Sequence, residues 1–115
     1  MYAEQILELY KHPLNYGPLK QKTLSARLVN PLCGDDISID VRLKDRRVCE
    51  ISFYGESCAI CRASASLLTE YAKGKSLIDL LKLNADAMKE IIGIDVSPGR
   101  INCLLLPLEV IKKIA

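Results

Sequence analysis

The chain has 115 residues, half of them apolar, enough for one compact domain over residues 1–115 with a modest core and too few for a second. Sixteen basic and fourteen acidic residues leave a formal net charge of +2. The only local basic cluster, Lys44-Asp45-Arg46-Arg47, reads as a solvated turn, so nucleic acid is excluded as the expected partner.

Glu4 and Glu8 interrupt the apolar residues of the amino terminus, and no apolar run reaches membrane-spanning length. The expectation is a cytoplasmic protein with no membrane association, and Met1 with the short tail favours a free-standing one. Five cysteines, an odd number, in a chain without a secretion signal point to reduced thiols used for metal or sulfur chemistry.

Tyr2, Ile6, Leu9 and Tyr10 recur at helical spacing and predict a helix over Ala3 to Lys11, ended by the turn-rich His12-Pro13-Leu14-Asn15-Tyr16-Gly17-Pro18. Leu24, Ala26 and Leu28 alternate with Ser25 and Arg27, a strand running to about Val29. Ile37, Ile39, Val41 and Leu43 alternate with polar residues as a second strand, one face buried and one wet. Beyond the Lys44-Asp45-Arg46 turn, Cys49, Ile51 and Phe53 share a face of a third, with Cys49 as packing.

After Gly55 the period becomes helical, with Ile60, Ala63, Ser64, Leu67 and Tyr71 predicted on one face and Arg62, Ser66, Thr69 and Lys73 on another. The small run Ala63-Ser64-Ala65-Ser66 lets another layer approach closely. Gly74 ends this helix, Ser76 caps a short one through Leu77, Leu80 and Leu81, and Asn84 caps another that Gly93 closes. Ser97-Pro98-Gly99 reads as a loop leading to Cys103, and Leu108 to Ala115 as a last helix with Pro107 in its first turn. The elements define an α+β domain, a three-stranded antiparallel sheet covered mainly on one face by helices.

Cys58 falls where strand gives way to helix, where exposed amide hydrogens and the positive end of the helix dipole favour a thiolate. Cys33, in Asn30-Pro31-Leu32-Cys33-Gly34-Asp35-Asp36, and Cys103 also lie in loops next to regular structure, so the three thiols can converge on one ion. A tetrahedral site for zinc, or for iron in a cluster, wants a fourth ligand. Asp35 is the first candidate, because Gly34 permits a sharp turn that brings the carboxylate beside the Cys33 sulfur, and Asp36 is the second. A carboxylate is a harder ligand than thiolate, so such a site empties more easily, which suits a carrier. Cys61, one turn after Cys58, is open to three readings: a further ligand or resting place for sulfur, a Cys-x-x-Cys redox partner, or helix packing. His12 reads as a surface residue. Arg62, Lys73, Lys75 and Arg100 are charges available to a protein partner.

Asn30-Pro31-Leu32-Cys33-Gly34-Asp35, Gly55-Glu56-Ser57-Cys58-Ala59-Ile60, Ala63-Ser64-Ala65-Ser66, Lys73-Gly74-Lys75-Ser76-Leu77, the His12 to Gly17 segment and Cys103 together resemble the U-type iron-sulfur cluster assembly scaffolds: IscU, SufU and the amino-terminal part of NifU. The resemblance implies a SufE/IscU-like fold. It further implies that Cys33, Asp35, Cys58 and Cys103 hold zinc in a resting form or a transient two-iron, two-sulfur cluster. Sulfur would come from a cysteine desulfurase, received by Cys103 or alternatively Cys58, and the cluster would go to apo iron-sulfur proteins or carriers. Such a chain is a scaffold more than an enzyme, working as a monomer or weak homo-oligomer; the alternative is a zinc-dependent sulfurtransferase that stimulates the desulfurase, and a third reading is a structural zinc domain.

Two departures from IscU stand out. Asn102 replaces the histidine before the third cysteine, and Val96-Ser97-Pro98-Gly99-Arg100 does not reproduce the chaperone-binding Leu-Pro-Pro-Val-Lys stretch. Both lean toward SufU, yet the gap between Cys58 and Cys103 is too short for the insertion typical of SufU. The chain reads as intermediate between the two.

Overall fold

Alternation of apolar and polar side chains along Asp35–Lys44, the central strand β2, sets the architecture. β2 lies between β1 (Leu24–Asn30) and β3 (Arg47–Tyr54) in an antiparallel sheet of order β1-β2-β3. The computed structural model describes residues 3–31, 34–93, 96 and 98–114. Ile39 pairs with Ala26 on one side and Phe53 on the other, and with Ile37, Val41 and Ile51 these make the apolar face. The β2–β3 turn has positive φ at both central residues, 54° at Asp45 and 65° at Arg46, as a two-residue hairpin requires to match the strand twist.

Helices α1 (Ala3–Lys11), α2 (Ala59–Ala72), α3 (Leu77–Leu81), α4 (Ala85–Ile92) and α5 (Ile101–Ile114) complete the domain. α2 packs on β3 and α5 on β1 and β2, while α1 and α4 lie against α2. The core forms between the apolar sheet face and the inward residues Leu68, Met88, Leu104, Val110 and Ile111. Ser76 Oγ and Asn84 Oδ1 accept from the amides of Asp79 and Ala87 and so cap α3 and α4. Gly93 ends α4 in the left-handed conformation. The α+β prediction and these caps hold.

The opposite sheet face is covered by the chain between α1 and β1. Asn15 and Gly17 bond both backbone groups of Phe53 at the outer edge of β3, and the chain then crosses the sheet to β1. It is pinned to the fully buried Asp40, whose carboxylate accepts from Leu19 N at 3.2 Å, Ser25 Oγ at 2.6 Å and Tyr54 Oη at 3.1 Å. A buried carboxylate is tolerated only when satisfied in this way.

Three expectations are corrected. Cys49 is exposed, not packed. Arg42 pairs with Glu50 but Leu43 with Val48, so Cys49 is the extra residue of a bulge and Val48 takes the inward position. α2 buries parts of both predicted faces: Ala63 and Ser64 are buried though Tyr71 is 38% exposed, and Ser66 and Thr69 on the other face are buried too. The cause is that α2 has neighbours on several sides, and its small hydroxyls are satisfied internally, Ser66 Oγ by Leu14 N and Thr69 Oγ1 by the Ala65 carbonyl. α5 starts at Ile101, seven residues before the predicted position, with Pro107 inside it. Burial of Cys103, Leu104 and Leu106 outweighs the one backbone bond that Pro107 cannot donate.

Candidate metal centre

The site grows from the first residue of β2. Asp35 is in phase with Ile37, Ile39 and Val41, so its side chain faces the helices, 2% exposed. Gly34 precedes it at φ 74°, its amide bonded to the Asn30 carbonyl at 2.8 Å, a conformation that glycine adopts without cost. Across the gap, Cys58 is the N-cap of α2, its Sγ accepting from Cys61 N at 3.4 Å. Asp35 holds it directly: the Cys58 amide donates to Oδ1 at 2.8 Å, and the Cys58 sulfur lies 3.5 Å from Oδ2.

Gly55 makes this approach possible. A Cβ there would lie 2.1 Å from the Asp36 carbonyl oxygen, and φ is 126°, so only glycine lets the β3–α2 link run against β2. The Asp36 amide then donates to the Glu56 carbonyl at 2.8 Å. Cys103 arrives from the third direction, on the first turn of α5 and not in a loop, 5% exposed. Ser64 of α2 donates to the Leu104 carbonyl at 2.6 Å, tying the two cysteine-bearing helices together one residue from the thiol. The small-residue run thus admits a close neighbour, as expected.

Asp35, Cys58 and Cys103 each offer one ligand atom, and these atoms all lie within 4.8 Å of one another. A tetrahedral zinc–thiolate centre with bonds of about 2.3 Å has ligand edges of about 3.8 Å, so a movement of about one ångström completes the set. Two thiols and a carboxylate also suit iron in a sulfide cluster. The third predicted thiol, Cys33, lies outside the described residues.

The structure separates the other candidates from this group. Asp36 points to the opposite sheet face and makes a double hydrogen bond with Arg27, at 2.8 and 2.6 Å. The guanidinium holds its carboxyl below the usual carboxylate range through that hydrogen bond, reinforced by charge and opposed by desolvation. Cys61 is fully buried; burial chiefly, then the charges of Asp35, Cys58 and Cys103, push its thiol far above the ordinary value. Its side chain packs in the core beside the group. His12 is exposed, as expected. Asn102 is exposed and lines a cleft of about 250 Å³ with Leu28, Val29, Pro31 and Glu109, between the end of β1 and α5.

Among the surface charges, Arg62 is committed within the fold. Its guanidinium carbon lies 5.1 Å from the Tyr10 ring centre and 4.7 Å from that of Tyr16, and Nη1 donates to the Tyr10 carbonyl. Lys73 pairs with Glu70 and Lys75 lies over Tyr71, while Arg100 is exposed. Gly55 is the positioning residue that sequence reasoning missed, its signal a glycine between strand and helix, and the Ser64 hydroxyl adds a hydrogen bond to the close approach that the small-residue run predicted.

Fold and site together define a small α+β domain that gathers thiols and a carboxylate from three separate elements around one point. The sequence profile of the NifU-like N terminal domain matches residues 1–115, and the chain belongs to that family. The iron-sulfur cluster assembly scaffold protein IscU 1 of Archaeoglobus fulgidus is 34% identical over 93 residues, 81% of this chain; the chain spans 61% of that relative's length. The zinc-dependent sulfurtransferase SufU of Bacillus subtilis is 30% identical over 130 residues, covering 98% of this chain and 88% of SufU. That alignment is longer than the chain, so part of SufU has no counterpart here, in keeping with the short Cys58–Cys103 gap. Among solved structures, FiSufU of Fervidobacterium islandicum superposes with a TM-score of 0.83 at 22% identity, covering 98% of this chain and 95% of that one. A NifU-like amino-terminal domain from Brucella abortus gives 0.77 at 21% identity, covering 98% and 90%. At these identities the likeness concerns the fold.

Proposed function

We propose that this chain is an iron-sulfur cluster assembly scaffold: it accepts sulfur from a cysteine desulfurase, collects iron, holds the nascent two-iron, two-sulfur cluster and passes it to apo-proteins. The observation that carries the reading is the meeting of the Asp35, Cys58 and Cys103 donor atoms within 4.8 Å. Cys33, next in sequence to Gly34 and Asp35, supplies the remaining thiolate. In the sulfur step the Cys103 thiolate attacks the outer sulfur of the desulfurase persulfide. The sulfur–sulfur bond there breaks, the desulfurase cysteine leaves as thiolate, and Cys103 carries the new persulfide. Cys103 is 5% exposed but sits one turn from a helix end, where local opening costs least. Cys58, half-buried, is the alternative acceptor.

Asp35 supplies lability. It is a harder ligand than thiolate, and the bond its Oδ1 accepts from the Cys58 amide keeps it beside that residue whether or not iron is bound. The same donors fit zinc, which when bound keeps the thiols deprotonated, and the SufU relative supports the second reading, a zinc-dependent sulfurtransferase. The two separate on iron: a scaffold takes up iron and sulfide and releases an intact cluster, whereas a transferase speeds the desulfurase without holding iron.

The test is native mass spectrometry of anaerobically prepared protein, with and without a cysteine desulfurase, cysteine and ferrous iron. Wild type gains sulfur and iron, Cys103→Ser loses the sulfur adduct, and Asp35→Ala retains the cluster but releases it to apo-ferredoxin several-fold more slowly. Failure of wild type to take up either sulfur or iron overturns the proposal, and unchanged release by Asp35→Ala removes that role from Asp35.

A further inference from the structure

Cys49 stands apart from the metal centre, and its surroundings form a site of their own. The β3 bulge turns Cys49 and Glu50 to the same side, where one Arg42 nitrogen, Nη2, is 3.2 Å from Cys49 Sγ and 2.5 Å from Glu50 Oε1. Beside them a cleft of about 430 Å³ opens between β3 and the crossing segment, with Cys49, Glu50, Ile51, Ser52, Pro18 and Lys73 in its wall. Ser52 is 4% exposed, and its hydroxyl has no hydrogen-bond partner among the described residues. A buried hydroxyl is rarely left so without a ligand or water to serve it. It shares its sheet face with Glu50 by strand period.

The cleft therefore offers a thiol faced by a guanidinium, a carboxylate, an ammonium and a buried hydroxyl. The existing ion pairs, Arg42–Glu50 and Lys73–Glu70, have side chains 35% to 51% exposed, and exposed pairs exchange partners at small cost.

We infer that Cys49 is a second thiol site, which forms a mixed disulfide with low-molecular-weight disulfides of amino-acid type. Glu50 takes the ammonium of the incoming molecule and Lys73 its carboxylate, while Ser52 meets the polar groups between. The Cys49 thiolate attacks one sulfur of the disulfide, that sulfur–sulfur bond breaks, and a Cys49–sulfur bond forms. The other half leaves as a thiolate that takes up the proton Cys49 gave up. Cys49 is oxidised by the two electrons the leaving half retains, so no further oxidant is needed.

The experiment incubates the anaerobic protein with cystine or with uncharged hydroxyethyl disulfide, then quenches with acid and maps adducts by peptide mass. Each rate is divided by the rate at Cys49 in the urea-unfolded chain, which removes intrinsic reactivity. The folded protein is expected to favour cystine over hydroxyethyl disulfide by about tenfold at Cys49, the effect of one or two charge-assisted contacts. Glu50→Gln and Ser52→Ala each reduce that preference several-fold, and Cys49→Ser removes the adduct while leaving iron and sulfur uptake unchanged. No adduct at Cys49, or a preference equal to that of the unfolded chain, overturns the inference and leaves only an exposed thiol.

Discussion

At Asp35 and Asp36 the pleat of β2 divides two chemically identical side chains. One turns toward the helices and holds Cys58; the other turns to the far face and binds Arg27. Because Arg27 keeps the Asp36 carboxyl below its ordinary range, folding favours the ionised form. That contribution is present above the unfolded value of about 4 and is lost as pH falls through the lower folded value. Asp36→Asn should therefore flatten the acid side of the stability profile below about pH 4, measured by urea unfolding at several pH values, with zinc affinity at neutral pH unchanged. Asp35→Asn should instead lower zinc affinity at neutral pH. The choice between the two carboxylates was legible in the phase of Ile37, Ile39 and Val41, a firmer argument than the flexibility of Gly34. Cys49 was not legible: a bulge inserts one residue without altering the alternation on either side, and only the pairing partner reveals it.

At the scale of elements, the centre depends on how closely β2, α2 and α5 approach. Gly55 sets the first distance and the Ser64–Leu104 hydrogen bond the second. Gly55→Ala places a methyl group against the Asp36 carbonyl in a backbone region that alanine avoids. It should cost about 2–3 kcal/mol in urea unfolding and weaken zinc binding together with stability, because the link carrying Cys58 must move. An unchanged unfolding midpoint would show that the link relaxes freely. The strands, α1 and the caps of α3 and α4 were readable because local patterns determine them. α5 was not, since Pro107 is a local signal for a boundary and tertiary burial overrides it. The faces of α2 were misread for a related reason, as periodicity assumes one wet side and this helix is covered on most of its circumference.

For the whole molecule, the sheet is enclosed from both sides. Helices bury one face, and the segment from Asn15 to Lys22 binds the other through Asp40 and the edge of β3. This wrapping brings the ends of β2, α2 and α5 to one place and leaves the Cys49 cleft at the opposite sheet face. No helix among the described residues is long and apolar enough to cross a membrane. The central claim, that the chain folds in order to gather its thiols and one carboxylate around a single ion, is tested most directly by X-ray absorption at the zinc edge of the zinc-loaded protein. The account predicts three sulfur atoms at about 2.3 Å and one oxygen at about 2.0–2.2 Å, falling to two sulfurs in Cys33→Ser. A first shell of nitrogen and oxygen with no more than one sulfur would contradict it.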